Sequence, residues 1–227
     1  MLPVFQTPTP QDLLRMARLA EQQRQPKRAI ELLRDAYARI ERSGDIYNAE
    51  VFTRLACVLQ SVGRSAEGWQ HLRELISQGC PGRNRYCHPA TRWLDQAVIY
   101  DKMRLFQHRA GQYDGAVLSG VWFYYCRYQA CVAQPKLAKT GSLTATRTIE
   151  SLLKPLLRKA GKEQLLYTIV AEMKSAIREP QLANWVFLQR RVRGYLAAVA
   201  GTPIDESTSV PPPVGASSAH SLQQRAR

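Results

Sequence analysis

The sequence predicts an all-α protein. Three observations carry that expectation. Apolar residues recur at intervals of three and four in one segment after another, proline and glycine stand where such segments begin and end, and no strand-like alternation or Asn-Gly or Asp-Gly hairpin turn between β-branched runs occurs.

The first helix is expected over residues 9–22. Thr9, Pro10 and Asp12 supply an N-cap, a proline in the first helical position and an acid at the positive end of the helix dipole, and Leu13, Met16, Ala17 and Ala20 form the packing stripe. After a break at Gln25-Pro26, residues 27–43 carry Ala29, Ile30, Leu33, Ala36, Tyr37 and Ile40, and Ser43-Gly44-Asp45 ends the run. Residues 46–62 and 65–78 repeat the pattern around Gly63. The segment GCPGRNRYCHPAT, 79–91, is rich in Gly, Pro and basic residues, has no periodicity and reads as a loop.

Helices resume at 91–109 and 112–133. The second of these is apolar nearly all round and is expected to be the most buried. Three more are expected at 143–160, 162–178 and 180–200, with Pro155 kinking or splitting the first of them. Residues 202–227, rich in Pro, Ser and Ala, have little to bury and are expected to be disordered. The organisation anticipated is therefore hairpins over 1–133, basic helices packed on them over 134–201, and a tail over 202–227.

Aligning the hairpins on their turns brings out an internal repeat. The segments QRQPKRAI, VGRSAEGW and AGQYDGAV each place a small residue, Ala29, Gly68 and Ala116, just beyond the turn, where two helices cross closely. Four and seven positions further on come Leu33 and Ala36, Leu72 and Leu75, and Gly120 and Phe123. This alternation resembles the tetratricopeptide repeat over roughly residues 10–133. The turn-to-turn intervals exceed that family's ~34 residues, and Arg104 and Gln107 stand in the third unit where small residues belong. The resemblance implies antiparallel helix pairs stacked in a superhelix that binds a protein or peptide segment on its concave face.

Each first helix also carries a base at an equivalent point, Arg15, Arg54 and Lys102, with Arg18 adding to the first. On a concave face they would attract an acidic or carboxylate-bearing partner. The family's pattern for clamping a terminal carboxylate is absent, because Leu14, Thr53 and Asp101 stand where its lysine belongs.

Charge points to a competing partner. The chain has 32 Lys and Arg against 18 Asp and Glu, net +14, and residues 136–201 alone hold 12 bases and 4 acids. Lys154, Arg158, Lys159, Lys162, Arg190, Arg191 and Arg193 could follow a phosphate backbone, with Trp185, Phe187 and Tyr195 among them for stacking.

Other chemistries find less support. Cys80, Cys87, His88, Cys126 and Cys131 lack the spacing of a zinc site, and cysteine is a common core residue, so no metal is expected. His71, His88, His108 and His220 accompany no nucleophile motif, and His71 is expected on a helix surface. The expectation is a protein without enzymatic activity or cofactor, with no catalytic residues and no small-molecule substrate. No apolar run reaches a membrane span, no basic-then-apolar leader opens the chain, and five cysteines suit free thiols in the cytoplasm.

Overall fold

The structure, a computed structural model, describes residues 7–82, 88–136, 149–178, 182–200, 210, 211 and 213. All secondary structure among them is helical. The chain forms two compact units, Met1–Cys87 and His88–Arg227.

The first unit holds α1 (Pro10–Gln22), α2 (Pro26–Ser43), α3 (Ala49–Ser61) and α4 (Ser65–Gln78), with α1 packed on α2, α2 on α3 and α3 on α4. The cap on α1 forms as its sequence requires. The Asp12 amide donates to Thr9 Oγ1 at 3.2 Å and the Thr9 amide donates to Asp12 Oδ2 at 3.0 Å, a reciprocal pair that satisfies two otherwise orphaned donors.

Both hairpin turns of this unit share one geometry. The Arg24 amide bonds back to Glu21 and the Gln25 amide to Ala20, and Gly63 and Arg64 bond in the same way to Gln60 and Leu59. This turn needs a left-handed residue at its centre, which glycine supplies cheaply and arginine does not. Arg24, at φ 56°, occupies that position in the first turn and Gly63, at φ 80°, in the second.

Ala29 and Gly68 are buried, as close crossing demands. The core of α1 differs from expectation. Met16 is 38% exposed and Leu14 is buried in its place, because the helix packs through Leu13, Leu14, Ala17 and Ala20. Tyr37, Phe52 and His71 then tie three helices together. The Tyr37 hydroxyl donates to the Val51 carbonyl at 2.5 Å, and His71 lies parallel to the Tyr37 ring with Nε2 2.9 Å from the Phe52 carbonyl. The expected surface histidine is thus a packed one. Beyond α4, Gly82 approaches the Asp45 carbonyl so closely that a Cβ would stand 2.1 Å from it.

The second unit holds α5 (Pro89–Arg109), α6 (Tyr113–Ala133), α7 (Ile149–Lys159), a 3-10 turn (Glu163–Leu165), α8 (Leu166–Arg178) and α9 (Leu182–Ala200). α6 packs on α5, α7, α8 and α9, so its apolar circumference finds partners on several sides. Eleven of its residues are buried. Because of these contacts the third hairpin clusters with the C-terminal helices in the second unit. α7 runs unbroken through Pro155, with Leu152, Leu153, Leu156 and Leu157 buried along one side. The expected start of that helix at 143 lies outside the described residues.

Of the two large residues of α5 that break the repeat pattern, Gln107 is accommodated by a glycine on α6. Gln107 is fully buried and accepts from the Ser119 hydroxyl at 2.6 Å, and a Cβ on Gly115 would lie 2.3 Å from its Nε2. Arg104, 8% exposed, binds Asp101 Oδ1 at 2.7 Å, whereas Gly120 admits α7, since a Cβ there would lie 3.2 Å from Leu153 and 3.3 Å from Leu152. At Gln107 and Gly115 size is therefore exchanged across the hairpin, with bulk on α5 and space on α6. Ala116 is buried as expected.

The turns at Gly111 and Gly161 repeat the bonding seen at Arg24 and Gly63, with amides 111 and 112 returning to His108 and Gln107, and 161 and 162 to Arg158 and Leu157. The segment AGKEQLLY thus continues the turn register of AGQYDGAV, with Leu166 where the small residue stood. The tail expected to be disordered lies outside the described residues except at Val210, Pro211 and Pro213. There Val210 is 2% exposed and the Pro211 carbonyl accepts from Tyr100.

Candidate functional site

In the first unit the first helices of the two hairpins, α1 and α3, are bridged by one ion pair. Arg54 Nη2 lies 2.6 Å from Glu21 Oε1, with both side chains partly shielded from solvent. Beside it opens a cleft of about 400 Å³ lined by Glu21, Arg24, Pro26, Cys57, Val58, Ser61 and Val62. Spacing explains the lining. Arg54, Cys57, Val58 and Ser61 are successive positions on one face of α3, and Arg18 and Glu21 are neighbours on α1.

Arg15 and Arg18 are exposed on α1, next in sequence to Met16 and Leu19, both substantially exposed. The helix therefore offers cations and apolar side chains together. Arg54 is half-buried and held by Glu21, so its charge is already partly neutralised within the chain. Lys102 is half-exposed on α5 of the second unit. Of the expected partner-contacting bases in the first unit, Arg54 pairs with the cleft residue Glu21 and Arg18 lies one helical turn from Glu21, while Lys102 belongs to the second unit. Sequence reasoning missed Arg24, Glu21 and Val58, and the only signal for Arg24 was its alignment with Gly63 and Gly111.

The bases of the second unit separate into two kinds. Lys154, Arg158 and Lys159 are exposed on α7, where Lys154 lies 3.7 Å from Glu163 and Lys159 Nζ donates to His108 Nε2 at 2.9 Å. Partial burial, followed by the nearby Lys159 and Arg104 charges, holds the His108 imidazole below its ordinary range, which keeps that acceptor neutral. Lys162, by contrast, is 5% exposed and its ammonium lies 2.6 Å from Asp114 Oδ2.

On α9, Phe187 is 62% exposed and shares a face with the exposed Arg190 and Arg191. Arg191 also pairs with Glu172 and donates to the Tyr195 hydroxyl at 3.2 Å. Arg193 is half-buried, with its Nε buried and without a hydrogen-bond partner among the described residues. The side chain of Trp185 lies outside the described residues.

Cys57, Cys80, Cys126 and Cys131 are free thiols. Cys126 is completely enclosed, and burial pushes its thiol well above the ordinary range, away from the reactive thiolate. Cys87 lies outside the described residues. Among the described residues, no three His, Cys, Asp or Glu side chains are placed to hold a metal ion, and no helix is long and apolar enough to cross a membrane.

Comparison of the chain with protein-family models, with curated proteins and with solved structures finds no match.

Proposed function

We propose that the first unit is a protein-interaction module that takes an extended, acidic partner segment along α1 and α3. The observation that carries this reading is the cleft beside the Arg54–Glu21 bridge, open between the first helices of successive hairpins and lined by Arg24, with the exposed Arg18 one helical turn from Glu21 on α1. The resemblance of these hairpins to tetratricopeptide repeats supports the same use of first helices. Val62, 37% exposed, offers apolar contact and the arginines offer charge-assisted hydrogen bonds to carboxylates. A surface already held by helix packing spares the partner part of the ordering cost.

The test is capture by the tagged chain with and without nuclease, comparing the native chain with Arg18→Glu/Arg24→Glu. A stoichiometric protein partner that resists nuclease and loses about tenfold in affinity in the variant, roughly 1.4 kcal/mol, supports the reading. Undiminished capture by the variant overturns it. Arg54→Glu is less informative because it sets two carboxylates against each other and disturbs the α1–α3 bridge itself.

The exposure of Phe187 beside Arg190 and Arg191 favours a second reading, a nucleic-acid contact on the second unit, to which Lys154, Arg158 and Lys159 would add charge. Retention on single-stranded nucleic acid that falls steeply with salt, and that weakens in Phe187→Ala and Arg190→Ala, is the result this reading requires.

A further inference from the structure

We propose that the second unit carries a peptide-binding site for an extended valine-proline segment, and that Val210, Pro211 and Pro213 of the same chain occupy it in cis. This inference rests on the second unit alone and is independent of the partner assigned to the first.

Two buried donors define the site. The Tyr100 hydroxyl on α5 donates to the Pro211 carbonyl at 2.6 Å, and Gln189 Nε2 on α9 donates to the Val210 carbonyl at 3.1 Å. With the segment in place Tyr100 is fully buried and Gln189 is 9% exposed. Val210 is buried almost completely, and Pro213 is buried as well. The phenol is held from behind by Trp122, whose ring stacks on it at 6.3 Å between centroids.

The chemistry of the occupant matches that of the site. In the run Val210-Pro211-Pro212-Pro213 every residue but the last precedes a proline, which drives each toward extended backbone, and every residue but the first lacks an amide proton. Such a segment offers carbonyl acceptors and almost no donors, and the site offers donors. The segment is also ordered before it binds, so little conformational freedom is lost on docking. Tyr100 is 111 positions from its acceptor Pro211 and Gln189 is 21 from its acceptor Val210, which makes this a tertiary contact and not a local turn.

A tethered occupant competes with any free peptide at an effective concentration on the order of millimolar. The site is therefore masked in the native chain, and a partner with a similar proline-rich segment gains access only when the tail is displaced.

The experiment uses the full chain and a fluorescein-labelled peptide with the sequence of residues 205–216, read by fluorescence polarisation. The Val210→Asp chain, checked for helicity by circular dichroism, is expected to bind the peptide at least about tenfold more tightly than the native chain. Adding Tyr100→Phe to it is expected to weaken that binding about tenfold, the loss of one buried hydrogen bond. Equal binding by native and Val210→Asp chains, or none by a folded Val210→Asp chain, overturns the proposal.

A second measurement avoids dependence on that variant. A protease site placed at 207–209 in the otherwise native chain is cut after folding, and the C-terminal fragment is expected to co-elute with the body in gel filtration at micromolar concentration. A fragment that separates freely overturns the proposal, and a native chain that elutes as a dimer overturns its cis form.

Discussion

Lys162 and Asp114 form an ion pair at 2.6 Å that joins the start of α6 to the turn before α8, with the lysine side chain 6% and the aspartate 26% exposed. A cation that sequence reasoning assigned to a phosphate backbone is thus spent inside the chain. Asp114 Oδ1 is buried without a partner among the described residues, so the carboxylate depends on this one ammonium.

Removing the ammonium leaves that carboxylate shielded and uncompensated. Lys162→Ala is expected to destabilise the chain by about 3 kcal/mol, while Lys162→Met with Asp114→Leu loses far less, because packing replaces the pair. Urea denaturation of the three chains checks this. The salt dependence of any polyanion binding is expected to be unchanged by Lys162→Ala and reduced by Arg158→Ala.

Arg24 occupies a left-handed position at φ 56° in a turn whose counterparts carry Gly63, Gly111 and Gly161. A side chain there costs on the order of 1 kcal/mol, partly offset by the greater freedom of glycine in the unfolded chain. Arg24→Gly is therefore expected to stabilise the first unit by about 0.5 kcal/mol in thermal denaturation. The same change is expected to weaken partner capture, which separates the arginine's contribution to binding from its cost to the fold.

His71 gives the first unit a pH-dependent stability. Burial holds its imidazole below the ordinary range, against the opposing effects of the Phe52 carbonyl and Glu74, with Arg34 adding slightly to the depression. The unfolded chain therefore takes up a proton before the folded one does. Stability is full above the unfolded value, near 6.5, falls as the pH drops toward the depressed folded value, and levels off below it. Thermal midpoints measured between neutral and acidic pH are expected to decline less in His71→Gln, whose amide can still donate to the Phe52 carbonyl. Parallel curves for the two chains would remove His71 as the cause.

The sequence by itself determined the helices of the first unit and most of their ends. Thr9, Pro10 and Asp12 start α1, and Gly44 ends α2 in the left-handed conformation, because caps and turns are decided by residues within one helical turn of each other. The buried small positions Ala29, Gly68 and Ala116 were legible for a similar reason, since their spacing from each turn repeats along the chain.

Only the tertiary structure decided what the polar side chains do. Met16 and Leu14 exchange places because the angle at which α1 meets its neighbours selects the buried face, and helical periodicity alone leaves that angle open. Arg54 and Lys162 each meet an acid distant in sequence, at Glu21 and Asp114, and the carbonyl of Pro211 meets a tyrosine more than a hundred positions away. These pairings depend on distances that exist only once the helices have packed, so no local pattern in the chain announces them.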